Sequence, residues 1–259
     1  MPPQILDTHI HLWPSTALTS KNHAWMTDPS HILTKRHGIS DYMHIAPSAT
    51  GFIYVETDRY LPSPMPAGDD EEEALRTWAK EPFSEISFLR RIIEGKAHES
   101  EDGVRSGEEG KMKGVVLFAP FHLPPSQFKA YLHVARETAG PDLWRKVVGF
   151  RYLLQGKGEG VVEALVKREE WVSNILELGK SRSEYGGKEG GWVFEVGADV
   201  NRDGSSGLQA IVAMIGDVRK RESAELKPVR FVLSKFFFLT YQFSPCGNFE
   251  RNRMPEKIC

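Results

Sequence analysis

Residues 5–13 read ILDTHIHLW, a strand-length run in which polar and apolar residues alternate. On an extended backbone the alternation sends Asp7, His9, His11 and Trp13 to one face and Leu6, Thr8, Ile10 and Leu12 to the other. The second face is mostly apolar and suits packing against helices, so the polar face is expected to look inward, as strands do in a helix-wrapped parallel barrel. Two imidazoles one residue apart on a strand point the same way and can share a divalent ion through neutral ring nitrogens. They can equally form a hydrogen-bonded polar pair in a structural strand.

Beyond this run the chain alternates strand-like and helix-like segments. GFIYVET at 51–57 is apolar, β-branched and aromatic, as a buried strand requires. Five carboxylates from Asp69 to Glu73 then open a helical stretch reaching about Ile93, where negative charge suits the N-terminal end of the dipole. Residues 94–113, EGKAHESEDGVRSGEEGKMK, show no periodicity and are expected to form an exposed, mobile loop. GVVLFAPF at 114–121 makes a third strand, followed by a helix from about Pro125 that Gly140-Pro141 ends. VVGFRYLL at 147–154 makes a fourth, and Leu165, Val172, Ile175 and Leu176 mark the apolar stripe of the next helix. GWVFEVGADV at 191–200, a helix from about Gly207 to Glu225, and VRFVL at 229–233 complete the series. Six nearly continuous apolar strands separated by five helical segments predict an α/β fold with a parallel sheet wrapped by helices. An open doubly wound sheet is the alternative, but no Gly-x-Gly-x-x-Gly loop follows the first strand.

Composition narrows the function. The 259 residues suffice for one large α/β domain. A formal net charge of −2 with interspersed signs leaves no basic surface for nucleic acid, so the expected partner is a small molecule. No apolar run approaches the roughly 20 residues that span a bilayer, and the His motif begins too early for a secretory signal, so a cytoplasmic protein without a membrane partner is expected. The two cysteines, Cys246 and Cys259, fall in the last segment and suggest neither a disulfide framework nor a thiolate metal site.

In a parallel barrel the chemistry sits at the C-terminal ends of the strands. Besides His9 and His11, those ends offer Glu56, His122, Arg151, Glu195 and Asp199. Glu56 reads as an oxygen ligand or an acceptor for a hydroxylated substrate, or else as the partner of Arg59 on the surface. Arg151, inside an apolar strand, needs an anionic or hydrogen-bonding partner and is either a substrate anchor or half of a structural ion pair. His122, between Phe121 and Leu123, reads as a satisfied loop histidine. Glu195 and Asp199, four residues apart on one strand face, lie about 13 Å apart at strand rise and do not form a tight dyad.

The ordered set Asp7-Thr8-His9-Ile10-His11-Leu12-Trp13, Tyr54-Val55-Glu56-Thr57-Asp58-Arg59-Tyr60, Gly149-Phe150-Arg151-Tyr152-Leu153-Leu154-Gln155 and Val193-Phe194-Glu195-Val196-Gly197 resembles the amidohydrolase-related (amidohydrolase-2) family. Within it the likeness is to fungal sugar-lactone hydrolases of the L-rhamnono-gamma-lactonase kind, over roughly residues 4–233. The resemblance implies a TIM-type (β/α)8 barrel of the metal-dependent hydrolase kind. It implies His9 and His11 as first-strand metal or substrate ligands and Arg151 as a residue that helps hold the substrate; Glu56, Glu195 and Asp199, at the strand ends, are the further candidates for the substrate side. The implied cofactor is one divalent ion, zinc foremost, or none where histidines alone act as in metal-free relatives. The implied reaction is opening of a sugar lactone by water, with a carboxylate accepting its proton. A related metal-dependent decarboxylase is a further alternative, since its first strand can also carry His-x-His.

The likeness stops in the sixth strand. Where relatives of this kind read Phe-Val-Leu-Asn-His, this chain reads Phe231-Val232-Leu233-Ser234-Lys235, and the Asp expected as general base on an eighth strand has no counterpart. The expectation is therefore an incomplete barrel, about six of eight strands over 1–233, with a tail at 234–259 outside the family pattern. Ser-Lys can be encoded AGT-AAG, which contains a splice-donor-like GTAAG, so the tail is expected to be translated intron or misjoined exon. On that expectation an inactive family member is the alternative to a working hydrolase.

Overall fold

The computed structural model describes residues 4–180, 185–186, 191–222 and 228–234. Six strands, β1 (Ile5–Ile10), β2 (Ala49–Val55), β3 (Met112–Phe118), β4 (Val147–Arg151), β5 (Val193–Gly197) and β6 (Arg230–Ser234), form one sheet in sequential order with every pair parallel. Between them run α1 (Ile39–Ile45), α2 (Glu71–Trp78), α3 (Lys80–Ile93), α4 (Glu99–Asp102), α5 (Pro125–Trp144), α6 (Val161–Val166), α7 (Glu169–Glu177) and α8 (Val200–Arg221). Among the described residues β1 and β6 each pair on one side only.

The sheet is curled. In a flat sheet with strands about 4.8 Å apart, β1 and β5 would lie about 19 Å apart, farther than a His and a Glu side chain can bridge. Yet His9 on β1 and Glu195 on β5 meet at 2.9 Å. The six strands thus make a half-barrel with a polar inner side. Outside it, buried Tyr54, Leu89, Tyr131, Ile175 and Phe194 belong to the core between strands and helices. Ring contacts tie the two layers, with Phe150 against Trp192 and Trp144 against Trp192, while Phe83 of α3 stacks on Tyr131 of α5.

Three local expectations are corrected. First, β1 ends at Ile10, with register irregularities between Asp7 and Ile10, so His11 and Trp13 lie beyond the strand and Trp13 forms an isolated antiparallel bridge with His37. The face expected to be covered is so only towards its C-terminal end: Leu12 is buried and Ile10 packs against the core, while Leu6 (47% exposed) and Thr8 are open at the start of β1, an edge strand among the described residues. Second, residues 94–113 are folded. Asp102 is fully buried and accepts from Arg91 Nη2 at 2.8 Å and His98 N at 2.9 Å, and the left-handed Gly103 closes α4 against Gly38. Third, the stretch from Asp69 to Ile93 is two helices broken at Ala79, although Asp70 caps the first as an acidic start should, accepting from Glu73 N at 3.0 Å.

Elsewhere the boundaries follow the glycines. Gly140 (φ 66°) interrupts α5 just before Pro141, and Gly204 (φ 73°) interrupts α8, so the regular helix begins close to Gly207. Lys235 and the tail after it lie outside the described residues. Among the described residues no helix is long and apolar enough to cross a membrane.

Candidate active site

His9 and His11 face one another across the C-terminal end of β1, their Nε2 atoms 2.9 Å apart. The other nitrogen of each ring is anchored. His11 Nδ1 donates to the Val55 carbonyl at 2.8 Å, and His9 Nδ1 lies 2.9 Å from Glu195 Oε1. A carbonyl and a carboxylate only accept, so both Nδ1 atoms carry hydrogens and both Nε2 atoms of the neutral rings present lone pairs to one another. Two lone pairs at that distance repel unless a proton or a metal cation sits between them. Anchoring the far nitrogen on a carboxylate and a backbone carbonyl is also how metal-binding imidazoles are oriented.

The donor set suits two ligands of one divalent ion: both Nε2 atoms carry lone pairs on the cavity side, and both rings are anchored through Nδ1, so His9 and His11 are the residues that would hold it. Among the described residues no cluster of three or more His, Cys, Asp or Glu supplies a complete set.

Behind the histidines lies a buried ion cluster. Arg151 Nε lies 2.5 Å from Glu56 Oε1 and 3.4 Å from Glu195 Oε2, and its Nη2 donates to the Glu56 carbonyl. All three side chains are at most 5% exposed. Arg151 is thus half of a structural ion pair and at the same time a wall of the cavity described below. The second oxygen of Glu56 accepts from Asp58 N at 2.6 Å, so each of its oxygens already has one protein donor, and the buried side chain does not line that cavity. Burial pushes the Glu56 carboxyl up to about 7 in opposition to Arg151. Burial works the same way on Glu195, but the hydrogen bond from His9 and the charge of Arg151 outweigh it and hold that carboxyl below its usual value.

The strand ends surround a cavity of about 380 Å³. His9, Arg151, Gly197 and Ser234 line it from β1, β4, β5 and β6, and His11 from just beyond β1; Trp13, Trp25 and Leu33 form an apolar wall; Thr57, Asp58, Leu153, Gln155, Gly156 and Arg202 complete it. Sequence reasoning missed the 57–59 turn. Thr57 N and Oγ1 both donate to Glu85 of α3 (3.0 and 2.5 Å), Arg59 Nε faces the same carboxylate at 3.4 Å, and Trp25 Nε1 donates to the Thr57 carbonyl at 3.0 Å. The surface Glu56–Arg59 pair considered above does not form, since Arg59 turns inward to Glu85.

Two candidates stand apart from the cavity. Asp199 follows β5 instead of belonging to it and lies 3.6 Å from Arg202 Nε. His122 Nε2 donates to the Pro64 carbonyl at 2.7 Å between the rings of Trp78 and Tyr152, and burial lowers its basicity. Its role is that of a loop histidine.

No family model and no curated protein matches the chain. Among solved structures, a likeness is found to an Amidohydrolase 2 from Bifidobacterium longum subsp. infantis, at 10% identity over 83% of this chain and 93% of that one, with a TM-score of 0.29. That likeness leaves the family unassigned.

Proposed function

We propose that the chain is a hydrolase of the amidohydrolase-related kind that opens a sugar lactone by attack of water on the ester carbonyl. The observation that carries the reading is the facing pair of Nε2 atoms, 2.9 Å apart and anchored on Glu195 and Val55, on the wall of the cavity at the strand ends. The lactone itself comes from the sequence resemblance. His9 and His11 would hold a divalent ion, zinc foremost, which when bound polarises a carbonyl and acidifies water.

The chain's own groups would do the rest. Glu195 and the Val55 carbonyl fix both imidazole planes before substrate arrives, so no reorientation is needed during reaction. Arg151, held between two carboxylates, lines the cavity and would offer its guanidinium to a carbonyl oxygen that becomes an oxyanion there. Trp13 and Trp25, 5.6 Å apart edge to face, present an apolar wall for the carbon skeleton of a ring.

An inactive relative is the second reading, favoured by the lack of a third ligand among the described residues. Elemental analysis of the purified chain beside His9→Ala and His11→Ala tests the site, and proton release from a panel of aldonolactones tests the chemistry. Near-stoichiometric ion lost in both variants, together with lactone turnover, is expected. Carbon dioxide release from aromatic acids would instead favour a decarboxylase, and silence in both assays the inactive relative.

A further inference from the structure

Hydrolysis needs an acceptor for the proton of the attacking water, and among the described residues the cavity wall contains one carboxylate, Asp58. The other two acidic groups nearby are engaged. Glu56 binds Arg151 and Asp58 N through its two oxygens; Glu195 binds His9 through Oε1, while its buried Oε2 faces Arg151 Nε at 3.4 Å without a hydrogen-bond partner among the described residues, and neither side chain lines the cavity. We infer that Asp58 is the catalytic proton acceptor of this cavity, an inference that rests on the hydrolytic reading above.

The backbone supports it. Asp58 has φ 51° and is the one described non-glycine residue with positive φ, a conformation uncommon in side-chain-bearing residues, though Asp and Asn adopt it more readily than others, and here one the surroundings hold in place. The residue before it is held by Glu85 at its nitrogen and hydroxyl and by Trp25 at its carbonyl. Asp58 N is held by Glu56, Arg59 faces Glu85, and Tyr60 N donates to the Asn22 carbonyl at 2.9 Å. Buried polar groups on both sides thus keep residue 58 in the left-handed region, with its side chain on the cavity wall.

Its carboxylate is open to a ligand. Among the described residues no N–H or O–H donates to it, and its charged neighbour is Lys157 Nζ at 3.7 Å, beyond hydrogen-bond range. Lys157 belongs to the 155–160 turn, which Asp203 secures by accepting from Gly156 N and Gly158 N, each at 3.0 Å. A water between Asp58 and a lactone carbonyl would give one proton to the carboxylate as its oxygen bonds to the carbonyl carbon. The acyl carbon–ring oxygen bond then breaks, and the same proton passes to the departing ring oxygen. Water and lactone become a hydroxy acid, and Asp58 returns to its starting state.

The test uses Asp58→Asn and Asp58→Gly in the full chain, with a gamma-aldonolactone as probe. Asparagine and glycine both accept positive φ, so each variant is expected to keep its bound ion and to melt at or above the wild-type temperature. Asp58→Asn should lose about 100-fold or more in kcat with KM changed less than about threefold, and formate should restore turnover to Asp58→Gly but not accelerate the wild type. Wild-type kcat in Asp58→Asn, a loss confined to KM, or no response of Asp58→Gly to formate would each overturn the assignment. If the wild type opens no lactone of the panel, the hydrolytic reading itself fails and this inference with it.

Discussion

Replacing Glu85 with alanine is expected to cost about 3–5 kcal/mol of folding stability, the range for a buried ion pair robbed of one partner. The carboxylate is 1% exposed, and its Oε1 accepts from Tyr54 Oη at 2.7 Å and from Thr57 N and Oγ1, with Arg59 Nε at 3.4 Å. Arg59 is the decisive neighbour. Its side chain is 1% exposed and its Nη1 has no partner among the described residues, so without Glu85 a cation is buried with no counter-charge. Losses at the other donors are smaller, because Tyr54 Oη retains the Leu12 carbonyl at 3.3 Å and Thr57 Oγ1 retains His23 Nε2 at 2.9 Å. Only Thr57 N–H is stranded, a further contribution of about 1–3 kcal/mol taken alone. All these bonds share one carboxylate, so the terms do not add. The double variant Arg59→Met, Glu85→Leu removes both charges and should regain most of the loss. Urea unfolding at neutral pH with an unchanged m-value is the measurement. A single-variant cost below about 1 kcal/mol, or a double variant no better than Glu85→Ala, would refute the argument.

Glu56 gives a pH test. Its carboxyl is raised from 4.5 to about 7 in the folded protein, so between those values the folded state binds the proton that the unfolded state has released, and stability falls as pH rises. At about 1.4 kcal/mol per pKa unit the fall attributable to Glu56 is about 3 kcal/mol. His23, lowered by burial to about 3, runs the opposite way, its stabilisation being present above 6.5 and lost on acidification, so the quantity to measure is the difference between wild type and Glu56→Gln. That difference should drift in favour of Glu56→Gln from pH 4.5 to 7.5, and a flat difference would show that Arg151 fully offsets the burial. Gly149→Ala tests the sheet. A methyl group there collides with Cγ2 and the carbonyl of Val193 on the neighbouring strand, so a loss of about 1–3 kcal/mol is expected by thermal unfolding, and a change within about 0.5 kcal/mol would mean that β4 and β5 do not approach as described.

The strands were legible because each is a compact apolar run between turn residues, and β3, β4 and β6 fall where VVLF, VVGF and VRFVL predict them. Their ends were not, since alternation in ILDTHIHLW continues past the point where the backbone leaves the sheet. The 94–113 segment looked loop-like because its order depends on one buried side chain, Asp102, and one left-handed glycine, neither of which produces periodicity. His9 and His11 were legible as a local pattern. Glu195 was legible only as a polar residue on a strand, since its meeting with His9 is made by the curl of four intervening strand spacings. Glu85 gave no signal, and Asp58 entered only as a member of the Tyr54–Tyr60 motif, without a role. A glutamate in an amphipathic helix usually faces water, and an aspartate in a Thr-Asp-Arg turn announces neither its φ nor its cavity.

The polar contacts that build the site also fix the shape that holds it. Hydrogen bonding between neighbouring strands sets their spacing but leaves the sheet free to twist open, and with β1 and β6 unpaired on one side among the described residues no ladder closes the circle. Two links skip strands. Glu56 to Arg151 joins the end of β2 to β4 across β3, and His9 to Glu195 joins β1 to β5 across the whole inner side. Arg151 Nε, 3.4 Å from Glu195, connects the two links into one buried cluster. Its charges therefore set the curvature as well as the electrostatics, so a substitution at Arg151 should change the separation of the histidines and the volume of the cavity together.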